Sequence, residues 1–338
     1  MSSTIHGGTI AEATALLYNP PMSVPSRSRV GGPLLVALGS AGWGAENLFR
    51  KRLDDLRLPS YSIVLFEHVL QVVFTLPWLL RNLAALRTAP RRALVYVFLS
   101  GAIGSSLGTV CYTAALDTVN PTVAAVLLNL QPVVSTIAGA LLFAEKIEER
   151  FYAWAAIAVL AGVAIALPNY QAGGQLGAEG LTLVFATIGL WGFATAAGRG
   201  AMRELPLGLA TPLRLWAGLV TTAGVIGVRA LLGKGGLDAA PFFTAPVVES
   251  LLLLTTLTGV IPLFVYFAGL ATTPASIAGY CEMLYTVSAT FVSWKFLGGT
   301  MTWEQAAASA VLIGAIIQLN RVHRAEAPAA GAPLRKVA

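Results

Sequence analysis

Four charged residues stand where a chain this apolar can least accommodate them. Glu46, Glu67, Arg214 and Glu282 each lie near the middle of a long apolar run. A lone charge at the centre of a bilayer costs at least about 2.5–3.5 kcal/mol on insertion scales, so each should face a cavity or a partner. The chemistry open to such a set is recognition of a polar or zwitterionic solute, or carriage of a proton by a carboxylate reached from both sides. Neutral polar residues accompany the charges: Asn47 beside Glu46, Gln71 one turn beyond Glu67, and Asn129 and Gln131 ahead of Pro132. Tyr112, Trp191, Tyr266, Tyr280 and Tyr285 fall at similar depth. Aromatic walls of this kind sort organic solutes by stacking or cation–π contact and argue against a bare ion. Packing is the competing assignment for each residue. Glu46 precedes Arg50 by one turn in the order that favours an ion pair within a helix, and Asn129 and Gln131 are of the types that tie helix to helix in lipid.

These residues need a membrane to position them, and the composition supplies it. Of 338 residues 56% are hydrophobic and only 11% charged, with a mean hydropathy of +0.72, whereas soluble domains carry about 25% charge. A hydrocarbon core needs about 20 apolar residues per helix. Ten such stretches can be marked, at about 33–52, 60–80, 92–115, 120–144, 150–168, 179–200, 207–231, 248–270, 274–297 and 303–321. Their short connections leave no room for a soluble catalytic domain. Residues 1–30 place no basic cluster ahead of an apolar core, so they do not read as a cleaved signal; they and residues 325–338 are expected to be disordered tails. Cys111 and Cys281 lie inside apolar helices without metal-ligand spacing, and neither a metal nor a cofactor is expected. The glycines around Lys234 lack the spacing of a phosphate loop.

The net charge of +6 is a topology signal and not a sign of nucleic acid. With both termini cytoplasmic, 14 basic residues fall on the inner side and 7 on the outer, the sense of the positive-inside rule. The expected location is the inner membrane of a bacterium. With this orientation Arg214 and Glu282 share the inner half of the membrane and should pair, while Glu46 and Glu67 occupy the outer half.

The apolar runs repeat. Trp43-Gly44 recurs as Trp191-Gly192 at an offset of 148, Glu67 aligns with Arg214 at 147, Tyr112 with Tyr266 at 154, and Pro121 with Pro274 at 153. Five helices are an odd number, so a second copy enters the membrane from the opposite face, the arrangement of many alternating-access carriers. The expected fold is therefore all-α and integral to the membrane, with ten transmembrane helices as two inverted five-helix repeats over residues 31–168 and 178–322.

The Trp-Gly pairs, the tyrosine-alanine and tyrosine-phenylalanine ends of helices three and eight, and Gln131-Pro132 followed by Ala144-Glu145-Lys146 together resemble the EamA-type repeats of the drug/metabolite transporter superfamily. The resemblance covers about residues 33–322. It implies a central cavity lined by helices one to four and six to nine, with helices five and ten peripheral. The chain departs from that pattern at Glu67-His68, where an arginine is usual nearby, at Gly298-Gly299 in place of Glu145-Lys146, and at Met283-Leu284-Tyr285 in place of a proline. The function expected is secondary transport of a small organic metabolite, amino-acid-like or zwitterionic, by a monomer or homodimer. Glu67 is the carboxylate chosen for proton coupling. A membrane-embedded enzyme acting on lipid, or a channel, are the alternatives.

Overall fold

The computed structural model describes residues 31–56, 58–115, 118–169, 177–237 and 239–326, and it is all-helical, with no β-strand among the described residues. The tail 1–30 and residues 327–338 lie outside that set, while the last helix continues to Glu326. We number the helices α1 (Gly31–Trp43), α2 (Glu46–Asp55), α3 (Ser60–Leu86), α4 (Arg91–Ala115), α5 (Pro121–Leu128), α6 (Gln131–Phe143), α7 (Glu149–Ala166), α8 (Ala178–Met202), α9 (Leu207–Leu231), α10 (Ala245–Leu270), α11 (Ala275–Glu282), α12 (Leu284–Phe296) and α13 (Trp303–Glu326).

Among the described residues, eight spans are long and apolar enough to cross a membrane: α3, α4, the α5–α6 pair, α7, α8, α9, α10 and α13. The expected first and ninth helices are each divided in two. α1 ends at Trp43 and α2 begins at Glu46 after a turn at Gly44–Ala45, and α2 carries so many charges that it is not apolar. α11 gives way to α12 at Met283. The α5–α6 joint at Asn129–Leu130 has a local cause, since Pro132 has no N–H to donate back to Leu128 and its ring crowds that carbonyl.

The irregular backbone recurs. A wide π-helical segment, Ser100–Leu107, interrupts α4, and another, Leu254–Val260, interrupts α10 at an offset of 154. Both are built from Gly, Ser and Thr with a few aliphatics. Such turns leave carbonyls unpaired within the helix, and in α4 other helices use them. Gly104 O accepts from Trp191 Nε1 at 2.9 Å, and Ser100 O from Arg214 Nε at 3.4 Å.

Contacts place the connections at two ends. At the near end, where α1 begins, Gly32 lies against Thr272 and Thr273, and Arg92 pairs with Glu204 at 2.7 Å. At the far end Gln305 Nε2 donates to Ile165 O at 2.9 Å, and Arg229 lies over the Tyr61 ring at 4.6 Å. A continuous core, including Phe267, Leu270, Leu209 and Phe151, begins in the near part and extends along α7 and α13 to Ile165 and Ala308, and a small core of Ala138, Ala196 and Ala275 lies beside it. The far part holds two separate small cores, one of Leu53, Leu58, Ile63, Phe242 and Leu251, the other of Ala115, Val119, Ala124, Val184 and Ile188.

Lipid gives helices no hydrophobic reason to associate, so close backbone approach between small residues carries the packing. α1 lies on α10 this closely: a Cβ on Gly39 would sit 2.7 Å from Pro262 O and from Tyr266 N. Gly189 has nothing within 4 Å of the equivalent point. Gly39→Ala should therefore lower the thermal unfolding midpoint in detergent, overpacking outweighing the roughly 1 kcal/mol that alanine gains in a helix. Gly189→Ala should hold or raise it. Equal shifts would show that the α1–α10 contact is not tight.

Candidate functional site

Glu282, at the last position of α11, is the centre of a half-buried polar group. Tyr266 Oη donates to Oε1 at 2.5 Å, Thr195 Oγ1 lies 2.9 and 3.1 Å from the two oxygens, and Gln131 Nε2 donates to Oε2 at 2.7 Å. Donors from α10, α8 and α6 thus meet on one carboxylate. A half-buried acceptor with this many donors is solvated by protein in place of water. Trp43, closing α1, sets its ring 5.0 Å from that of Tyr266. On another wall Trp191 and Tyr112 approach to 5.5 Å, with the indole fixed by Gly104 O.

Arg214 stands beside this group, and its charge and that of Glu282 are within electrostatic range. Direct pairing was expected, but the guanidinium is held otherwise, 5.2 Å over the Phe267 ring and against Ser100 O. Glu282 makes no direct ion pair with it among the described residues. The reason is competition: the neutral donors already occupy both carboxylate oxygens.

A second group lies toward the far end. Arg50, on α2, pairs with Glu46 one turn earlier, and its Nη2 reaches Glu67 Oε2 on α3 at 3.1 Å. Gln71 Nε2 donates to the other Glu67 oxygen at 3.0 Å. The face shared by Glu67 and Gln71 is therefore present, but a cation from a different helix also occupies it. Tyr285, 38% exposed, lies near Arg50, and it follows Glu282 by one turn, so the two groups adjoin along the α11–α12 joint. The side chain of Asn47 lies outside the described residues.

Two expected site residues are elsewhere. Tyr280 is buried with its ring 5.6 Å from Phe151 of α7 and bonded toward Thr136, because it points away from Glu282 on the other side of α11. Asn129 bonds back to the carbonyls of Ala125 and Val126 at 2.9 and 3.3 Å, with its amide oxygen against Gly162. It closes the α5–α6 joint. Arg50 and Thr195 complete the two groups and were not among the expected site residues, although Arg50 had been matched to Glu46.

Three comparisons bear on this geometry. Residues 30–167 match the model of the EamA-like transporter family. The chain is also 25% identical, over 309 residues, to a Fusobacterium nucleatum subsp. nucleatum protein named riboflavin transporter ImpX, a match that covers 88% of this chain and 99% of the relative. A protein solved by crystallography shares the fold of this chain, with a TM-score of 0.70 and 16% identity over 89% of this chain and 100% of the other.

The second group makes a clear energetic expectation. Arg50→Met strands the Glu67 carboxylate, only 11% exposed, and should destabilise by about 3 kcal/mol, as loss of one partner of a buried pair does. Adding Glu67→Gln should restore most of it, since an amide can still bond to Gln71. Chemical unfolding of the purified single and double variants measures this, and additive losses would refute the coupling.

Proposed function

We propose that this membrane transporter carries a small organic metabolite by alternating access, its substrate contacting the donors gathered on Glu282 and the aromatic pairs Trp43–Tyr266 and Tyr112–Trp191. The observation that carries the reading is the Glu282 group itself, since Gln131 belongs to the first half of the chain while Thr195, Tyr266 and Glu282 belong to the second. A solute that competes for these bonds acts on the contact between halves, which is where a carrier must be reset. Two inverted repeats of five helices support this, with α1–α2 and α11–α12 each crossing as one broken helix. Backbone irregularities in register at 154 residues favour that reading. Cytoplasmic termini follow from the basic-residue asymmetry.

The substrate class is narrowed by the relative whose printed name is a riboflavin transporter. A flat, uncharged heteroaromatic such as riboflavin suits tyrosine and tryptophan walls with amide, hydroxyl and carboxylate partners between them. An amino-acid-like zwitterion, the second candidate, would use Arg214 and Glu282 at its two charged ends. Purified protein in liposomes should take up riboflavin saturably, and Glu282→Gln together with Gln131→Leu should reduce uptake at least about tenfold, the scale of losing a charged hydrogen bond. Uptake that rises linearly without saturation would favour a channel. Saturable uptake of amino acids and not of riboflavin would exchange the two substrate classes.

For proton coupling the geometry moves the choice from Glu67 to Glu282. Glu67 is pinned to a guanidinium at 3.1 Å, whereas Glu282 is held by neutral donors that can turn over when a proton arrives. If protons drive transport, Glu67→Gln should retain pH-gradient-driven accumulation, while Glu282→Gln should lose accumulation and keep a residual exchange. Accumulation abolished by Glu67→Gln alone would reverse the assignment.

A further inference from the structure

We propose that Glu145 latches the near end of the bundle shut and that the far end is built without the matching latch, so that the resting carrier is open at its far end. The proposal rests on the alternating-access reading and adds to it which state is favoured, and by which bond.

Glu145 follows α6 in a turn opened by Ala144, whose φ of 51° is in the left-handed region. Its two carboxylate oxygens accept the first backbone N–H groups of α11, Ala275 N at 2.9 Å and Ser276 N at 3.0 Å. These N–H groups have no partner within the helix, and the helix dipole adds positive charge there, so a carboxylate is the preferred occupant. The bond crosses from the first half of the chain to the second. Its surroundings are close: a Cβ on Gly139 would stand 2.5 Å from Glu145 Oε2. On the other flank of the same turn Arg199 donates to the carbonyls of Leu270 and Ala271, which end α10. The 271–274 connection is thus tied at both sides, and α11 cannot swing away from α6 while Glu145 holds it.

At an offset of 154 residues α11 (275–282) corresponds to α5 (121–128). Left-handed Ala144 corresponds to Gly298, φ 72°, and so Glu145 corresponds to Gly299. Glycine offers no carboxylate. The first receiving position fails as well: the first intrahelical bonds, Ala124 N to Asn120 O and Ala278 N to Pro274 O, set the structural register one residue beyond the 153 that aligns Pro121 with Pro274 in the sequence, so Ala275 corresponds to Pro121, which has no N–H. Acceptor and first donor are therefore both missing at the far end, at two separate places in the sequence.

The test uses the whole chain in liposomes, with Cys111→Ser and Cys281→Ala, and spin labels on the exposed near-end positions Glu149→Cys and Thr272→Cys. Pulsed electron resonance should give mainly a short distance in the parent. Glu145→Ala should raise the longer-distance population about tenfold, the scale of charge-assisted bonds, and Glu145→Gln, with one accepting oxygen, should fall between. An unchanged distribution in folded Glu145→Ala overturns the latch. Riboflavin uptake by the same preparations separates the two levels: transport with an unchanged distribution removes the latch alone, and neither transport nor a second distance in any variant removes alternating access too.

Discussion

A carboxylate in hydrocarbon must be given hydrogen-bond donors, and much of this fold is arranged around that requirement. The helix that begins with Glu46 starts afresh after the turn at Gly44–Ala45, and the helix that ends with Glu282 breaks immediately after it. Irregular backbone at membrane depth is tolerated only where protein or an aqueous cavity satisfies it. The freed groups are satisfied here in particular ways. Ala41 O, near the first break, accepts from Ser288 Oγ of α12 at 2.6 Å, and the wide turn of α4 lends its carbonyls to Trp191 and Arg214. Charge, break and interhelical bond occur together because each makes the others affordable.

The same bonds divide the molecule into parts that hold and parts that can move. Near the start of α1 the helices are joined by small-residue contact and a shared core, and separating them exposes many atoms at once. Toward the far end the wall containing α2, α3 and the start of α10 has its own core, and the wall containing the ends of α4 and α8 has another. Arg50 belongs to the first of these walls, where it fixes α2 to α3. It stiffens that wall and does not bridge to the other.

The all-helical membrane class was legible in the sequence because composition survives without knowledge of any contact. The positions of the breaks were not. Pro132 announces the α5–α6 joint, but Gly44-Ala45 and Met283 carry no comparable sign, and apolar runs continue through or close to both. That is why an unbroken helix over 33–52 was expected and why Arg50 was counted among residues outside the membrane. Depth along an ideal helix correctly grouped Glu46 with Glu67 and Arg214 with Glu282. It could not show azimuth. Tyr280 shares the depth of the site yet faces α7, and Thr195, a residue of ordinary type in an apolar helix, faces Glu282. Glu67 looked free because its own helix offers no cation one turn away; the cation comes from α2.

Charge balance within the two groups limits what the proposed cavity can accept. Glu46, Glu67 and Glu282 face Arg50 and Arg214, so with all five ionised the groups carry one surplus negative charge. Arg50 is shared between two carboxylates, and Arg214 is covered by the Phe267 ring and the Ser100 carbonyl. Neither guanidinium presents the open fork that a phosphate would require. In a site of low dielectric, a like charge brought near an unbalanced carboxylate is repelled far more strongly than in water. On the proposed reading the site thus discriminates by exclusion: an uncharged ring system can exchange hydrogen bonds with Glu282, Gln131 and Thr195, while its phosphorylated form meets negative charge with no free cation to offset it.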